Sequence, residues 1–316
     1  MKKVAYLYGT KLARQNLPTG AVNRMQDISN LLTEIGFEVK PIHTLTNTFQ
    51  TKGAILVLVS FPSAKVLRRA HKYFEFIWLD ATDSWRLTRK QLFRFNVLYN
   101  SVKYVRDYFH SSQYRKADLI TYCSRRDLRY DKLQNCNALV LNHRINKKTP
   151  IYSSTERFVF VGHGSYPPNQ RAVKFLLKCF KSESFGLKLH IYGAGFERFN
   201  STSNVIFEGV GNDEEIYLSK DVHLVPIWQG SGVKYKTLNA LAHDLPVISS
   251  TEGANGFVHH DLLHTADQPL DFINLMRSIS QGNMVRSNSR ILSQKQILES
   301  DDTLELVKRL ENLKCI

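Results

Sequence analysis

In this 316-residue chain the densest set of residues suited to chemistry lies between Val222 and Ala242. An apolar run, Val222–Val225, leads into Pro226-Ile227-Trp228-Gln229-Gly230-Ser231-Gly232-Val233, and a helix-forming stretch with Lys234, Lys236 and Asn239 follows. The first amides of a helix lack intrahelical partners and carry partial positive charge, and glycine lets a ligand come close to the backbone. Phosphate is the natural guest of such a turn. Spacings of four and three set Gly232, Lys236 and Asn239 on one helical face, with Lys234 pointing elsewhere. A cation beside the phosphates and an amide one turn on suit a diphosphate and a ribose. The same residues also describe an ordinary capped helix with a solvated lysine.

Three further places carry reactive side chains. Leu79-Asp80-Ala81-Thr82-Asp83-Ser84 follows an apolar run, and open α/β sheets place ligands at the carboxyl ends of their strands. Asp80 and Asp83 are therefore candidates for ligand binding, with Asp83 a candidate general base on a hydroxyl. The competing reading is that one of them caps the next helix. Gly9-Thr10 and Gly20-Ala21-Val22-Asn23-Arg24 either form a ligand-side glycine loop, on the acceptor side in the architecture argued below, or are plain turns. His163, in Gly162-His163-Gly164, is a candidate to contact a ligand, against the ordinary structural role of a lone histidine.

The elements that must position these residues alternate. Strand patterns fall at Val4–Tyr8, Phe37–Lys40, Ala54–Ser60, Phe76–Leu79, Asp118–Tyr122 and Ala138–Leu141, with helical periods between them, as at Val22–Ile35 and Ser63–Tyr73. After a polar basic linker, Asn142–Pro150, strands resume at Phe158–Val161, Leu187–Tyr192, Val205–Glu208, Val222–Val225 and Pro246–Ser249. Repeated strand–helix units imply parallel sheets covered on both faces. The expected fold class is α/β, with two Rossmann-like domains, residues 1–148 and 149–316. Asp301–Leu313 reads as an amphipathic helix that packs on the second domain or crosses back to the first.

The continuation beyond Ala242 makes the pattern specific. Gly-Ser-Gly-Val-Lys-x-Lys-x-Leu-x-Ala-Leu-Ala at 230–242, then Leu-Pro-Val-Ile at 245–248 and Glu-Gly-Ala-x-Gly at 252–256, resembles the C-terminal domain of family 4-like glycosyltransferases of GT-B fold. In the same order, Phe158–Asn169 resembles that domain's first strand and glycine loop, Leu187–Gly195 its second strand, and Phe207–Val210 the strand and loop beside the nucleobase. Ala117–Ser124 resembles the last part of the N-terminal domain. The likeness is close over about 117–260 and loose over the first hundred residues.

The resemblance implies two domains facing across a cleft. The first would bind the acceptor and the second a nucleotide diphosphate sugar, UDP-sugar being favoured. It implies that Gly162 to Gly164 face the donor and that Gly209 and Val210 meet the base through backbone groups. Ser231, Gly232 and Val233 would hold the diphosphate with amides, and Lys236 would neutralise it. No metal or cofactor is implied, since amides and a cation offset the leaving-group charge. The family usually carries two glutamates eight positions apart, where this chain has Ser231 and Asn239. Asn239 can still bond a ribose hydroxyl, without the charge assistance of a carboxylate. Retention of configuration follows the family; inversion with Asp83 as base is the alternative.

Charge speaks to partners. The chain has 43 Lys and Arg against 28 Asp and Glu, a net +15. Residues 86–130 hold 11 Lys or Arg against 3 Asp, a net +8, interleaved with Phe93, Phe95, Tyr99, Tyr104, Tyr108, Phe109 and Tyr114. Such a mixture suits an anionic membrane surface or single-stranded nucleic acid, or is a solvated face with aromatics turned to the core. No nucleic-acid module is recognisable, and the resemblance favours a membrane with a lipid-linked or surface-glycan acceptor. No run of about 18 apolar residues is present and the N-terminus has no signal-peptide pattern, so the expected location is cytoplasmic, peripheral at the inner face of the membrane. Cys123, Cys136, Cys179 and Cys315 have no metal-ligand spacing and read as structural thiols. The expected activity is sugar transfer; the alternative is a non-catalytic GT-B subunit that binds a partner transferase or an acceptor.

Overall fold

The computed structural model describes residues 3–9, 20–45, 53–60, 63–93, 96–132, 137–144, 149–153, 156–197, 199–282, 297–298 and 301–313. The chain divides into two units, Met1–Arg144 with Ser300–Ile316, and Ile145–Glu299. The break thus falls at Arg144 rather than at Lys148, and the last residues belong with the first unit.

Six parallel strands form the first sheet: β1 (Lys3–Gly9), β2 (Phe37–Ile42), β3 (Ile55–Val59), β4 (Phe76–Thr82), β5 (Leu119–Tyr122) and β6 (Ala138–Val140), in the order β2-β1-β3-β4-β5-β6. Strand β3 shows why it is central. Ile55, Val57 and Val59 enter one apolar cluster and Leu56 and Leu58 the other, so both faces are buried. One face is covered by α1 (Gly20–Glu34) through Ile28, Leu31 and Leu32. The other is covered by Leu67 and Ala70 of α2 (Ala64–Ala70) and by Tyr114. Next in the chain come α3 (Trp85–Leu92), α4 (Val97–Gln113) and α5 (Arg125–Tyr130).

The second sheet is also parallel. Its strands β7 (Arg157–Val161), β8 (Lys188–Tyr192), β9 (Val205–Gly209), β10 (Asp221–Val225), β11 (Val247–Ser249) and β12 (Leu263–Thr265) run in the order β12-β11-β10-β7-β8-β9. Counted within the unit, this is the 3-2-1-4-5-6 order of a dinucleotide-binding fold, with its reversal between β7 and β10. Its helices are α6 (Pro167–Ser182), α7 (Asp213–Ile216), α8 (Tyr235–Ala242) and α9 (Pro269–Ser280). Arg157 pins the two central strands, its Nε and Nη2 donating to the Asp221 carboxylate at 2.7 and 2.9 Å. The three-residue β12 was not among the expected strands; it is too short to carry a period.

The last helix, α10 (Thr303–Asn312), buries Leu306 and Leu310 completely in the cluster that holds Ile28 and Leu32. Asp302 fixes its start: its amide donates to the Val140 carbonyl at 2.7 Å and its Oδ2 accepts from the Val140 amide at 2.8 Å. The helix therefore packs on the first sheet, as the crossing-back reading required.

Candidate functional site

In the second unit the two strands at the reversal deliver the two loops singled out in the sequence. Strand β7 opens into Gly162-His163-Gly164. The Gly162 amide donates to Tyr192 O at 2.9 Å and the Gly164 amide to Ala194 O at 2.7 Å, so both are spent on the β8 loop. A Cβ on Gly164 would lie 2.1 Å from the Gly195 carbonyl oxygen, which is why no other residue fits there. These glycines serve close packing and leave ligand donation to other groups. His163 is partly exposed. Its Nδ1 accepts from the Ser165 amide at 3.1 Å, which puts the proton of the neutral ring on Nε2.

Strand β10 leads into Ser231-Gly232-Val233, a buried loop in which Gly232 has a φ of 71°. Carbonyls of this loop are held by side chains. Lys234 Nζ donates to Ser231 O at 2.9 Å and to Gly232 O at 3.1 Å, and Asn255 Nδ2 to Gly232 O at 3.1 Å. Lys234 also pairs with Glu252 at 3.5 Å. Fixing the carbonyls fixes the peptide planes, and with them the amides. Helix α8 starts directly after, and its bonds begin with the Thr237 amide on Lys234 O at 3.0 Å. The positive end of α8 thus adjoins the glycine loop.

Lys236 joins the two loops. Its Nζ donates to Asn169 Oδ1 at 2.8 Å and lies 4.2 Å from the centre of the Phe160 ring. Asn169 in turn donates from Nδ2 to His163 O at 2.9 Å. Although Lys236 as a whole is partly exposed, its ammonium end is deeply enclosed. Burial, with a smaller contribution from Lys234, pushes its pKa down to about 7. Amide and ring contacts favour the charged form but do not outweigh desolvation. An anion held beside Nζ would reverse that balance.

Asn239 follows Lys236 by three positions on α8 and is partly exposed. Its side chain bonds the Tyr217 hydroxyl. Tyr217 is stacked between His243 at 4.4 Å and His223 at 5.0 Å. His223 is fully buried, and its pKa is pushed down to about 3, chiefly by burial, so it is a neutral packing ring. Gly232 precedes α8 instead of lying on it, so the shared face is Lys236 with Asn239 alone. Gly209 ends β9 with its carbonyl accepting from the Gly193 amide, and Val210 beyond it is 63% exposed. Strand β9 is two places from β7, about 10 Å at ~4.8 Å per strand.

The first unit treats its strand ends differently. Asp80 is completely buried and accepts from Arg24 Nε at 3.0 Å, Arg24 Nη2 at 2.6 Å and Thr121 Oγ1 at 2.6 Å. It is a structural ion pair, not an acceptor ligand. Gly20–Arg24 is correspondingly the first turn of α1, with Arg24 turned inward, not an acceptor-side loop. Neither aspartate caps α3. That is done by Ser84, whose Oγ accepts from the Leu87 amide at 3.2 Å. Asp83 is partly exposed just past β4. Gly9 closes β1, and Thr10 lies outside the described residues, as do Arg94, Phe95, Cys136 and Cys315. Cys123 and Cys179 are buried.

Sequence reasoning passed over Asn169, Glu252, Asn255 and Tyr217. Asn169 closes the segment after β7, but nothing in its spacing announces a partner 67 positions on. Glu252 and Asn255 stand in the loop after β11, which neighbours β10 in the sheet. Among the described residues no cluster of three or more His, Cys, Asp or Glu is arranged to hold a metal ion.

Residues 155–281, which contain all of this second-unit site, match the family model Glycosyl transferases group 1. The chain has the GT-B fold. Anabaena HepE, solved in complex with UDP, is similar over 99% of this chain and 100% of its own, with a TM-score of 0.63 and 12% identity. The lipopolysaccharide outer core galactosyltransferase WaaB is similar over 98% of each chain, at TM-score 0.58 and 14% identity. TarM matches 83% of this chain at TM-score 0.54 and 15% identity, and the chain spans only 55% of TarM. No curated protein sequence matches the chain. In this GT-B frame the β7 and β10 loops lie where a doubly wound sheet takes its ligand.

Proposed function

We propose that the protein is a glycosyltransferase that moves a sugar from a nucleotide diphosphate sugar, with a UDP-sugar as first choice, to an acceptor hydroxyl. One observation carries the reading. At the reversal of the second sheet, Asn169 and Lys236 tie the β7 glycine loop to the first turn of α8, beside a glycine loop whose carbonyls are held by Lys234 and Asn255. The diphosphate sits against the Ser231–Val233 loop and the α8 N-terminus, with Lys236 as counter-charge; Asn239 bonds the ribose. The base extends toward Gly209 and Val210. Charge leaving on the diphosphate is met by amides and Lys236, so the reaction needs no metal. HepE, whose structures include one with UDP-glucose, supports the choice of donor.

The acceptor side is the first unit, and the acceptor is a lipid-linked or surface-glycan precursor in polysaccharide biosynthesis. The basic residues of 86–130 hold the protein peripherally at the inner, cytoplasmic face of an anionic membrane. WaaB, described as a lipopolysaccharide outer core enzyme, supports that class of acceptor. Transfer proceeds with retention; Asp83, partly exposed past β4, is the base if it inverts, and the anomeric configuration of the product by NMR separates the two. Ser231 and Asn239, in place of two carboxylates, favour one second reading, a non-catalytic GT-B subunit that binds donor without turnover. A thermal-shift screen across nucleotide sugars, followed by transfer assays with the best donor, tests both. Stabilisation by a nucleotide sugar with transfer supports the enzyme, stabilisation without transfer or hydrolysis the second reading, and no stabilisation by any donor contradicts both.

A further inference from the structure

Helix α4 is built inside out. Its inward face is polar: Asn100, Asp107 and Ser111 are buried, at spacings of seven and four. Asp107 is completely buried and takes Arg106 at 2.6 Å and Arg89 of α3 at 3.4 Å, while Asn100 Nδ2 donates to Leu92 O at 2.9 Å. Its outward face is apolar. Leu98, Val102, Val105 and Phe109, at spacings of four, three and four, form one stripe and are 78, 63, 53 and 62% exposed. Polar contacts hold the helix on the protein, so the outward stripe is not a by-product of loose packing. A contiguous apolar stripe on the surface marks a contact site.

Charge decides the occupant. Lys103 and Arg106 lie on the same helix as the stripe, Lys90 lies on α3, and α3 and α4 contain a single acidic residue, the buried Asp107. A second copy of the chain would bring like charges together across the stripe. An anionic lipid surface accepts both features, apolar side chains among the acyl chains and cations among the headgroups. A helix of 17 residues, about 25 Å long, lies in the plane of such an interface.

We propose that α4 inserts its Leu98–Val102–Val105–Phe109 stripe into the headgroup–acyl boundary of an anionic bilayer. The inference deepens the membrane side of the function proposed above and rests on it for the source of the partner. It differs in mechanism, because charge alone gives adsorption and the stripe gives insertion.

Co-sedimentation of the full chain with vesicles tests it, using phosphatidylcholine alone and phosphatidylcholine mixed with phosphatidylglycerol, at low and high salt. Wild type binds the anionic vesicles, and part of that binding survives high salt. Replacing all four stripe residues by Ser lowers the partition at least tenfold, Phe109→Ser alone lowers it about threefold, and Lys90→Ser with Lys103→Ser weakens mainly the salt-sensitive part. Equal binding by wild type and both stripe variants overturns insertion and leaves adsorption by charge. No binding by wild type overturns insertion and the membrane reading together. A wild-type dimer that the stripe variant dissolves, without vesicle binding, makes a second copy the occupant and also overturns it. Cooperative melting, measured on every variant, reports folding, and UDP binding keeps the sugar-transfer reading separate, since its site is in the other unit. If the fourfold variant fails to melt cooperatively, the Phe109→Ser result decides.

Discussion

The two units carry similar parallel sheets, yet they spend the charged residues at their strand ends in opposite ways. In the first, Asp80 at the end of β4 is sealed by Arg24 and Thr121. In the second, Lys236 is held by a neutral amide and an aromatic ring, with no carboxylate against it among its bonds described above. A cation with a full counter-charge has nothing to gain from a phosphate. One held by an amide and a ring has its charge still to be satisfied. The difference separates residues that brace a sheet from residues poised for a ligand, although both stand at a carboxyl end.

Substitution at the two positions breaks this contrast most sharply. Asp80→Ala leaves Arg24 charged and buried, and should cost about 3–5 kcal/mol in denaturant unfolding. Lys236→Ala removes an enclosed ammonium without stranding an opposite charge, and should leave stability within about 1 kcal/mol of wild type. Similar losses at both sites would erase the distinction.

Leu310→Ala probes the first unit from its apolar side. Its side chain is completely buried under α10, and truncation should cost about 2–5 kcal/mol. A neutral result in urea titration would mean that α10 does not pack on the first sheet in solution.

The smallest effect is the dependence on pH. Lys236 is depressed to about 7, so between that value and the ordinary lysine range the unfolded chain holds a proton that the folded chain lacks. Stability therefore rises with pH across the window. A bound diphosphate restores the charged form, so binding takes up a proton and weakens as pH rises above about 7. Calorimetry at pH 8 in two buffers of different ionisation enthalpy should show proton uptake that Lys236→Ala abolishes; equal heats in both buffers would contradict the depressed value.

Much of this was legible in the chain. The strand runs appeared because buried parallel strands such as Ile55–Val59 are apolar without interruption, and the α8 turn because Gly230 and Gly232 stand between an apolar run and a helical period. Partnerships across the fold were not. Asp80 and Asp83 look alike in sequence, and only Arg24, 56 residues away, makes one of them structural. Helix α4 defeated a reading by periodicity for a different reason. A helical apolar stripe is ordinarily assigned to the core, and here the core face is polar. The basic, aromatic composition of 86–130 was visible, but not which of its rings turn outward.

The central claim is that the second unit holds a nucleotide diphosphate at the β7 and β10 loops. Isothermal titration of UDP into wild type and Lys236→Ala tests it most directly. Saturable binding by wild type, weakened about tenfold or more in the variant, is the expected result for loss of a charge-assisted contact. Equal UDP affinity in the two proteins would contradict the placement of the diphosphate beside Lys236.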